Sequence, residues 1–140
     1  MSKKVLIKKE DVDKIIKHAF DWLPAEACGL IAGNELEDGT RVIEKVYLLT
    51  NTDNSNEHFS IYPREHLASI KDMRANGLKP LGNWHSHPET PSRSSEEDIR
   101  LAVDKTASYL ILSLMNRDDP VLNSFHVEGG ISTKENLEIV

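Results

Sequence analysis

The order of predicted elements indicates an α/β (α+β) fold in which helices flank a mixed β-sheet. Three stretches of the 140-residue chain space their apolar residues at helical intervals, and six others are short apolar runs typical of strands. Helices and strands alternate irregularly, as expected for a sheet covered by helices. Since no repeat, low-complexity linker or change of composition divides the chain, residues 1–140 are predicted to form one domain.

The predicted helices have recognisable boundaries. The first covers 9–23, and Pro24 ends it because the residue before a proline avoids helical backbone. The second covers 64–77, where a glycine stops it. The third begins at Ser94 or Ser95 and runs through EEDIRLAVDKTA. The residues predicted to face inward are Val12, Ile15, Ile16, Ala19 and Phe20 in the first helix, and Leu67, Ile70 and Met73 in the second.

The predicted strands are apolar runs bounded by turn signals such as EDG and NRDDP. The polar stretch 50–58 has no periodicity and predicts a loop. The six strand candidates are CGLIAG (28–33), RVIEKVYLL (41–49), LKPLGNWHSH (78–87), SYLILSLM (108–115), VLNSFHVEG (121–129) and ISTKENLEI (131–139).

Charge and cysteine content narrow the function classes. The formal net charge is −6, with 17 Lys plus Arg against 23 Asp plus Glu, which argues against a nucleic-acid partner. Cys28 is the single cysteine, so no internal disulfide is possible. The apolar run Val5–Ile7 is too short for a signal-peptide core, and no stretch approaches the length of a membrane span. We therefore expect a cytoplasmic protein without a membrane partner.

The stretch NWHSHPETPSRSSEED (83–98) carries the chemistry. His85 and His87 stand two residues apart on a predicted strand, so both imidazoles project to the same face and can reach one ion. A loop that folds back would bring Asp98 to this face as an oxygen ligand. Three protein ligands with one open position are the pattern of a catalytic zinc site. In isolation, however, residues 95–98 favour a helix start, in which Ser95 caps the helix and Asp98 reaches back.

These residues resemble the signature of the JAMM (MPN+) metalloproteases. His85, His87, Ser95 and Asp98 match its HxH, seven residues, SxxD pattern, and PAEACGLIAG matches its glutamate ahead of a CGL-type strand. The segment FSIYPREHL is similar to a further family element, so the resemblance covers nearly the whole chain. It implies a curved mixed sheet flanked by helices, bound Zn2+, and hydrolysis of an amide bond through a metal-activated water.

The resemblance also implies a role for each site residue. His85, His87 and Asp98 would hold the zinc. Glu26 would take the proton of the water and pass it to the departing amine, whereas without the resemblance a solvated acid between a helix and a strand is the favoured interpretation of this residue. Ser95 would donate to the oxyanion, a role that competes with capping or is shared with Ser94.

Compact prokaryotic relatives imply a ubiquitin-like or sulfur-carrier protein as substrate, cut after a C-terminal Gly-Gly. The tail would add to a sheet edge, with the loop 50–58 as a wall of its groove. The chain departs from the family in carrying Ser94 where a proline is common, and in lacking the long insertion of ubiquitin-chain-cleaving relatives, which argues against that substrate. Oligomeric state and leaving group stay open. The alternatives are a non-catalytic MPN-type scaffold and a phage-tail-type peptidase.

Other polar residues receive structural interpretations. Ser86 and Trp84 are predicted to face away from the histidines, with Trp84 in the core. His66 and His126 are expected to be satisfied or exposed, and His58 is a candidate for lining the groove. The remaining alternative nucleophile, the single cysteine, is more simply a buried small apolar residue. The chain has no HExxH helix, and one cysteine cannot build the HxE and PCxxC set of the deaminases.

Overall fold

The computed structural model describes residues 4–140, so the first three residues of the predicted domain lie outside it. Three helices and eight strands make up this part of the chain. The helices are α1 (Lys9–Trp22), α2 (Pro63–Ala75) and α3 (Glu96–Leu101). The strands are β1 (Lys4–Ile7), β2 (Cys28–Glu35), β3 (Arg41–Leu49), β4 (Lys79–His87), β5 (Ser108–Ser113), β6 (Val121–Glu128), β7 (Ile131–Lys134) and β8 (Asn136–Ile139).

The eight strands form one mixed sheet that curls almost onto itself. Its strand order is β7-β6-β5-β4-β2-β3-β1-β8, with parallel pairs at β4/β5, β1/β3 and β1/β8. The edge strands β7 and β8 are separated in sequence by Glu135 alone. Since one residue cannot span an open eight-stranded sheet, the two edges must lie close together. The α/β (α+β) prediction of a curved mixed sheet flanked by helices is confirmed.

Alternate residues of the strands pack into two hydrophobic cores on opposite faces of the sheet. On one face, Ile31 and Trp84 belong to a large cluster that includes the buried residues of α1. On the other face, Leu30 and Ala32 pack with Met73 of α2. Trp84 is fully buried and its indole N–H donates to the Tyr47 carbonyl at 3.1 Å, so its predicted place in the core is confirmed. His85 and His87, which alternate with Trp84, therefore open on the α2 face.

Five of the six predicted strands and the first two helices lie where the sequence placed them, within a few residues. The predicted inward face of the second helix is only partly right, because Met73 is buried whereas Leu67 is 56% exposed. Phe20 of the first helix is likewise 38% exposed. Both residues follow the helical period but lie at the margin of the contact with the sheet.

The third helix is shorter than predicted. It ends at Leu101 rather than Ala107, and Ala102 already leaves helical geometry. The Asp104 carboxylate accepts hydrogen bonds from the backbone N–H and the hydroxyl of Thr106, at 2.8 and 2.6 Å. Such local side-chain bonds offer the backbone an alternative to the helix. The prediction of a helix through 107 is therefore wrong.

Two further differences lie at the edges of the sheet. The predicted strand 131–139 is two strands, broken at Glu135, whose N–H donates to the Ser124 carbonyl while its carboxylate accepts the Ser124 hydroxyl. That break transfers the chain from β6 to β1. Strand β1 was not predicted; its Val5 and Ile7 are buried between β3 and β8. Both neighbours are distant in sequence, so the three-residue apolar run Val5–Ile7 carried no local signal of pairing.

Candidate metal centre

The two histidines of the motif converge at the end of β4. Both are buried, at 3% exposure for His85 and 5% for His87. Their Nε2 atoms lie 3.1 Å apart. Because strand residues two apart share a face, this convergence follows directly from their spacing.

Asp98 reaches the histidines from the first turn of α3. Its Oδ1 lies 3.2 Å from His85 Nε2, and its Oδ2 lies 3.1 Å from His87 Nε2. The helix start is also a capping box: the Asp98 N–H donates to Ser95 Oγ at 3.0 Å, and the Ser95 N–H donates to Asp98 Oδ2 at 2.9 Å. The cap fixes the aspartate over the strand. The capping and the ligand interpretations therefore describe the same four residues and do not exclude each other.

The donor set fits a zinc ion. Among residues 4–140, His85, His87 and Asp98 form the group whose potential ligand atoms all lie within 4.8 Å of one another. Two ligands of a tetrahedral zinc ion lie roughly 3.3 to 3.5 Å apart, within a few tenths of an ångström of the separations given above. Two imidazoles and a carboxylate are also ligand types that zinc accepts.

The orientation of His87 strengthens the case for a cation. Its Nδ1–H donates to the Pro91 carbonyl at 2.9 Å, so in the neutral ring Nε2 carries a lone pair. That nitrogen lies 3.1 Å from a carboxylate oxygen of Asp98, so either a proton or a metal cation must lie between the two atoms. A backbone partner on the remote ring nitrogen is the usual way in which a metal-binding histidine is oriented.

Burial and the contacts among the three residues shift the pKa values of His85 and Asp98. Phe59 stacks on the His85 ring, with centroids 4.8 Å apart and the planes inclined by 23°. Burial lowers the pKa of His85 and so favours the neutral, metal-binding form. Burial alone raises the pKa of Asp98, but hydrogen bonds with His85 and His87 outweigh it, so the pKa lies well below its usual range. These shifts favour a neutral His85 ring and an ionised Asp98 carboxylate.

Glu26 lies beside this cluster in the turn before β2. It is only 3% exposed, and its Oε1 has no hydrogen-bond partner in the described part of the chain. Burial raises its pKa to about 9, and the nearby charges of Asp98, Glu97 and Glu57 add to the effect. A buried acid with an unpaired oxygen is costly to maintain, which is typical of a group with a chemical role.

Two residues to which the sequence assigned no functional role, Ser86 and Asn51, hold Glu26 in place. Ser86 accepts the Ala27 N–H on its hydroxyl at 2.8 Å, and its own N–H donates to the Ala27 carbonyl at 3.0 Å. The side chain of Asn51 donates to the Glu26 carbonyl at 3.0 Å and to the His58 carbonyl at 3.2 Å. Its oxygen accepts the N–H groups of Asp53 and Ser60. Only the polarity of the segment 50–58 hinted at this role.

The raised pKa of Glu26 predicts how the stability of chelator-treated protein changes with pH. Between pH 7 and about 9 the folded state keeps the Glu26 proton, whereas the unfolded state, with a pKa near 4.5, has lost it. The unfolded state therefore binds fewer protons, and stability falls as pH rises, by at most about 1.4 kcal/mol per pH unit. Urea unfolding at pH 7, 8 and 9 measures this slope. Glu26→Gln should remove most of it; an equal slope in both proteins would contradict the assignment.

Hydrogen bonds hold the loop 88–95 in place. Ser94, the residue that departs from the family pattern, shares a hydrogen bond with Ser132 at 2.7 Å. The Ser92 hydroxyl donates to the Ile111 carbonyl at 2.6 Å, and the Asn123 side chain donates to the Ser92 carbonyl at 3.2 Å. The loop is therefore fixed to β5, β6 and β7 without a proline before Ser95.

Two cavities border the group formed by His85, His87 and Asp98, which we call the ligand cluster. We call the first, of about 350 Å3, the Phe59 cavity; it is largely apolar and contains His85 and Asp98 in its wall. The second, of about 600 Å3, is the Glu26 cavity; it is more polar and contains His87 and Ser95. Glu97 borders both. The cluster thus separates two spaces of different chemistry.

The remaining histidines of the sequence prediction and the single cysteine lie outside the ligand cluster. His58 and His66 line the Phe59 cavity, and His58 Nδ1 lies 3.7 Å from a Glu97 carboxylate oxygen. His126 is exposed and donates to the Lys105 carbonyl at 2.9 Å. Burial raises the pKa of the Cys28 thiol to about 12, so it is protonated at neutral pH, and its interpretation as a buried apolar residue is confirmed.

Comparison with known proteins identifies relatives that match nearly the whole chain. Three curated proteins of Mycobacterium bovis and Mycobacterium tuberculosis, each named CysO-cysteine peptidase, are 28% identical to this chain over 136 residues, covering 97% of it and 91% of each relative. A solution structure from Desulfitobacterium hafniense is 46% identical, with a TM-score of 0.89, over 97% of this chain and 92% of that one.

Two more distant structures share the fold. A Salinibacter ruber protein is 25% identical, with a TM-score of 0.69, covering 98% of this chain and 90% of its own. A JAB1/MPN domain protein of Archaeoglobus fulgidus is 19% identical, with a TM-score of 0.58, covering 96% and 97%. No helix within residues 4–140 is long and apolar enough to cross a membrane. The family described as prokaryotic homologs of the JAB domain matches residues 8–127, and the chain belongs to it.

Proposed function

We propose that this protein is a zinc-dependent peptidase that hydrolyses the amide bond after the C-terminal Gly-Gly of a ubiquitin-like or sulfur-carrier protein. One observation carries the chemical part: three converging ligand atoms lie beside a buried glutamate with an unpaired oxygen. Hydrolysis of an unactivated amide needs a Lewis acid and a group that moves a proton, and the residues present can supply both. When bound, zinc would polarise the scissile carbonyl and make water acidic enough to attack at neutral pH.

Glu26 is the proposed proton carrier. It lines the Glu26 cavity together with His87 and Ser95, within reach of a water molecule in that space. It would accept the proton of the attacking water and then release that proton to the departing amine nitrogen. Glu26 must be ionised to accept this proton; a zinc ion bound at the adjacent residues would oppose the effect of burial and lower the pKa of Glu26 from its metal-free value of about 9.

Ser95 is the proposed donor to the oxyanion. Its oxygen accepts the Asp98 N–H through a lone pair, which leaves the hydroxyl proton available for a second bond. Capping and oxyanion stabilisation therefore do not compete. A donor of this kind lowers the free-energy barrier by about 3 kcal/mol in comparable enzymes.

The two cavities suggest how a substrate would lie. The leaving amine must be near Glu26, which places the leaving group in the Glu26 cavity. The acyl side, a Gly-Gly tail, would then occupy the Phe59 cavity, whose walls include Phe59, Ile61 and Ile111. The curated relatives, named CysO-cysteine peptidase, support a sulfur-carrier substrate of this kind. Of the loop 50–58, only His58 would touch the tail; Asn56 and Glu57 border the other cavity.

The proposal predicts cleavage of a carrier conjugate. A ubiquitin-like sulfur carrier ending in Gly-Gly, joined by its C-terminal amide to cysteine, should lose that residue when mixed with the zinc-loaded protein, as read by intact-protein mass spectrometry. The same carrier ending in Ala-Val joined to cysteine is the matched control and should be cut at least about a hundredfold more slowly. Equal rates would contradict Gly-Gly specificity. No cleavage of either conjugate would favour a non-catalytic scaffold.

A further inference from the structure

Asn83 is a polar side chain in the Phe59 cavity that the chemistry described above leaves without a role. It lies on β4 two residues before His85 and on the same face, so it borders the cavity together with that histidine. Its carboxamide makes no hydrogen bond with any residue in the range 4–140, and its oxygen is buried. A buried acceptor without a partner is unfavourable unless a ligand satisfies it.

Part of the cavity wall around Asn83 is apolar or already engaged in hydrogen bonds. Its neighbour across the parallel β4/β5 register is Tyr109, whose hydroxyl donates to the Asp104 carbonyl at 3.1 Å and is therefore already engaged. Ile111 and Val127 supply apolar surface to the same cavity. The carboxamide is thus a polar group beside apolar surface, in a cavity whose other polar lining includes His66 and Ser94. Such a group fixes the orientation of a ligand more than it adds to the apolar contact.

We infer that Asn83 is a specificity residue that hydrogen-bonds a peptide group of the carrier tail. This inference rests on the proposed function, because it needs a tail in the Phe59 cavity. A carboxamide has one acceptor and one donor group, as a peptide group does, and its terminal torsion is soft enough to turn either toward the ligand.

Spacing along the strand identifies the peptide group. Asn83 and His85 are about 6.7 Å apart along β4, and an extended tail advances about 3.3 Å per residue. A tail whose scissile carbonyl lies at the ligand cluster therefore brings the peptide group two or three residues upstream to Asn83. Recognition at that depth selects a tail that is extended and unobstructed before its Gly-Gly end.

The test measures binding of a product-like peptide rather than turnover. A synthetic hexapeptide ending in Gly-Gly is titrated into the 15N-labelled protein. The side-chain NH2 signals of Asn83, assigned by their absence from the Asn83→Leu spectrum, should shift on binding. Asn83→Leu should raise the dissociation constant of the peptide by roughly tenfold. The matched control Asn34→Leu makes the same change at an exposed position of β2 and should leave it unchanged.

Ester analogues of the peptide locate the contact. Replacing the N–H two or three residues before the Gly-Gly carboxylate by oxygen should weaken binding to the parent, and should weaken binding to Asn83→Leu much less. Equal losses in both proteins, unmoved Asn83 signals or no binding at all would overturn the inference. Failure of the proposed function is distinguishable: the peptide would then bind through Asn83, while the carrier conjugate stays uncut.

Discussion

Protein carrying both His85→Ala and His87→Ala should purify with less than about one tenth of a zinc ion per chain, against about one in the parent. The double change removes both nitrogen ligands and leaves Asp98, whose carboxylate is held by the helix cap and cannot bind an ion tightly alone. Metal analysis of protein prepared without chelator is the measurement. Hydrolysis of the carrier conjugate should fall to background in the same variant.

A matched control separates loss of ligands from loss of histidine in general. His126→Ala removes an exposed histidine on β6, and it should keep both zinc and activity. Far-ultraviolet circular dichroism should show that the double variant remains folded. If the parent protein binds no zinc after reconstitution at neutral pH, the hydrolase mechanism is contradicted. The non-catalytic scaffold is then the favoured interpretation.

Glu26→Gln should lower kcat by roughly a hundredfold to ten-thousandfold while zinc content stays at the level of the parent. Glutamine has nearly the same shape but cannot carry the proton from water to the amine. Since Glu26 is not one of the three ligand residues, the metal site should remain intact. Steady-state kinetics on the carrier conjugate, with metal analysis of the same sample, test both parts.

The same substitution should not destabilise the fold at pH 8. At pH 8 the folded state must take up a proton at Glu26 that the unfolded state has lost; a neutral amide avoids this cost, so the chelator-treated variant should be at least as stable as the chelator-treated parent. A gain or retention of stability with loss of activity is the pattern expected of a functional residue. Loss of both together would instead assign Glu26 a structural role.

The positions of most strands and helices could be predicted from short-range patterns of apolar and polar residues. Strand β3 coincides with the predicted run RVIEKVYLL, and α1 ends one residue before the predicted boundary. Strand periodicity alone places two histidines on one face, because that relation depends only on residues two apart. The capping box likewise depends on four consecutive residues. Features of this kind need no knowledge of the rest of the chain.

Features that depend on distant partners were missed. Strand β1 forms because β3 and β8 flank it, and the predicted final strand breaks because Glu135 bonds to Ser124. The role of Asn51 depends on carbonyl groups at 26 and 58 that only the folded loop brings together. No periodicity encodes such contacts.

The sequence by itself determined the fold class, the ligand types and the family resemblance, because these are carried by residue identity and short spacing. Only the tertiary structure decided that Glu26 is buried with an unpaired oxygen, that two cavities flank the ligand cluster, and that Asn83 lacks a partner. Burial and hydrogen-bond satisfaction depend on every neighbour in space. They are therefore set by the packed sheet rather than by any local stretch of the chain.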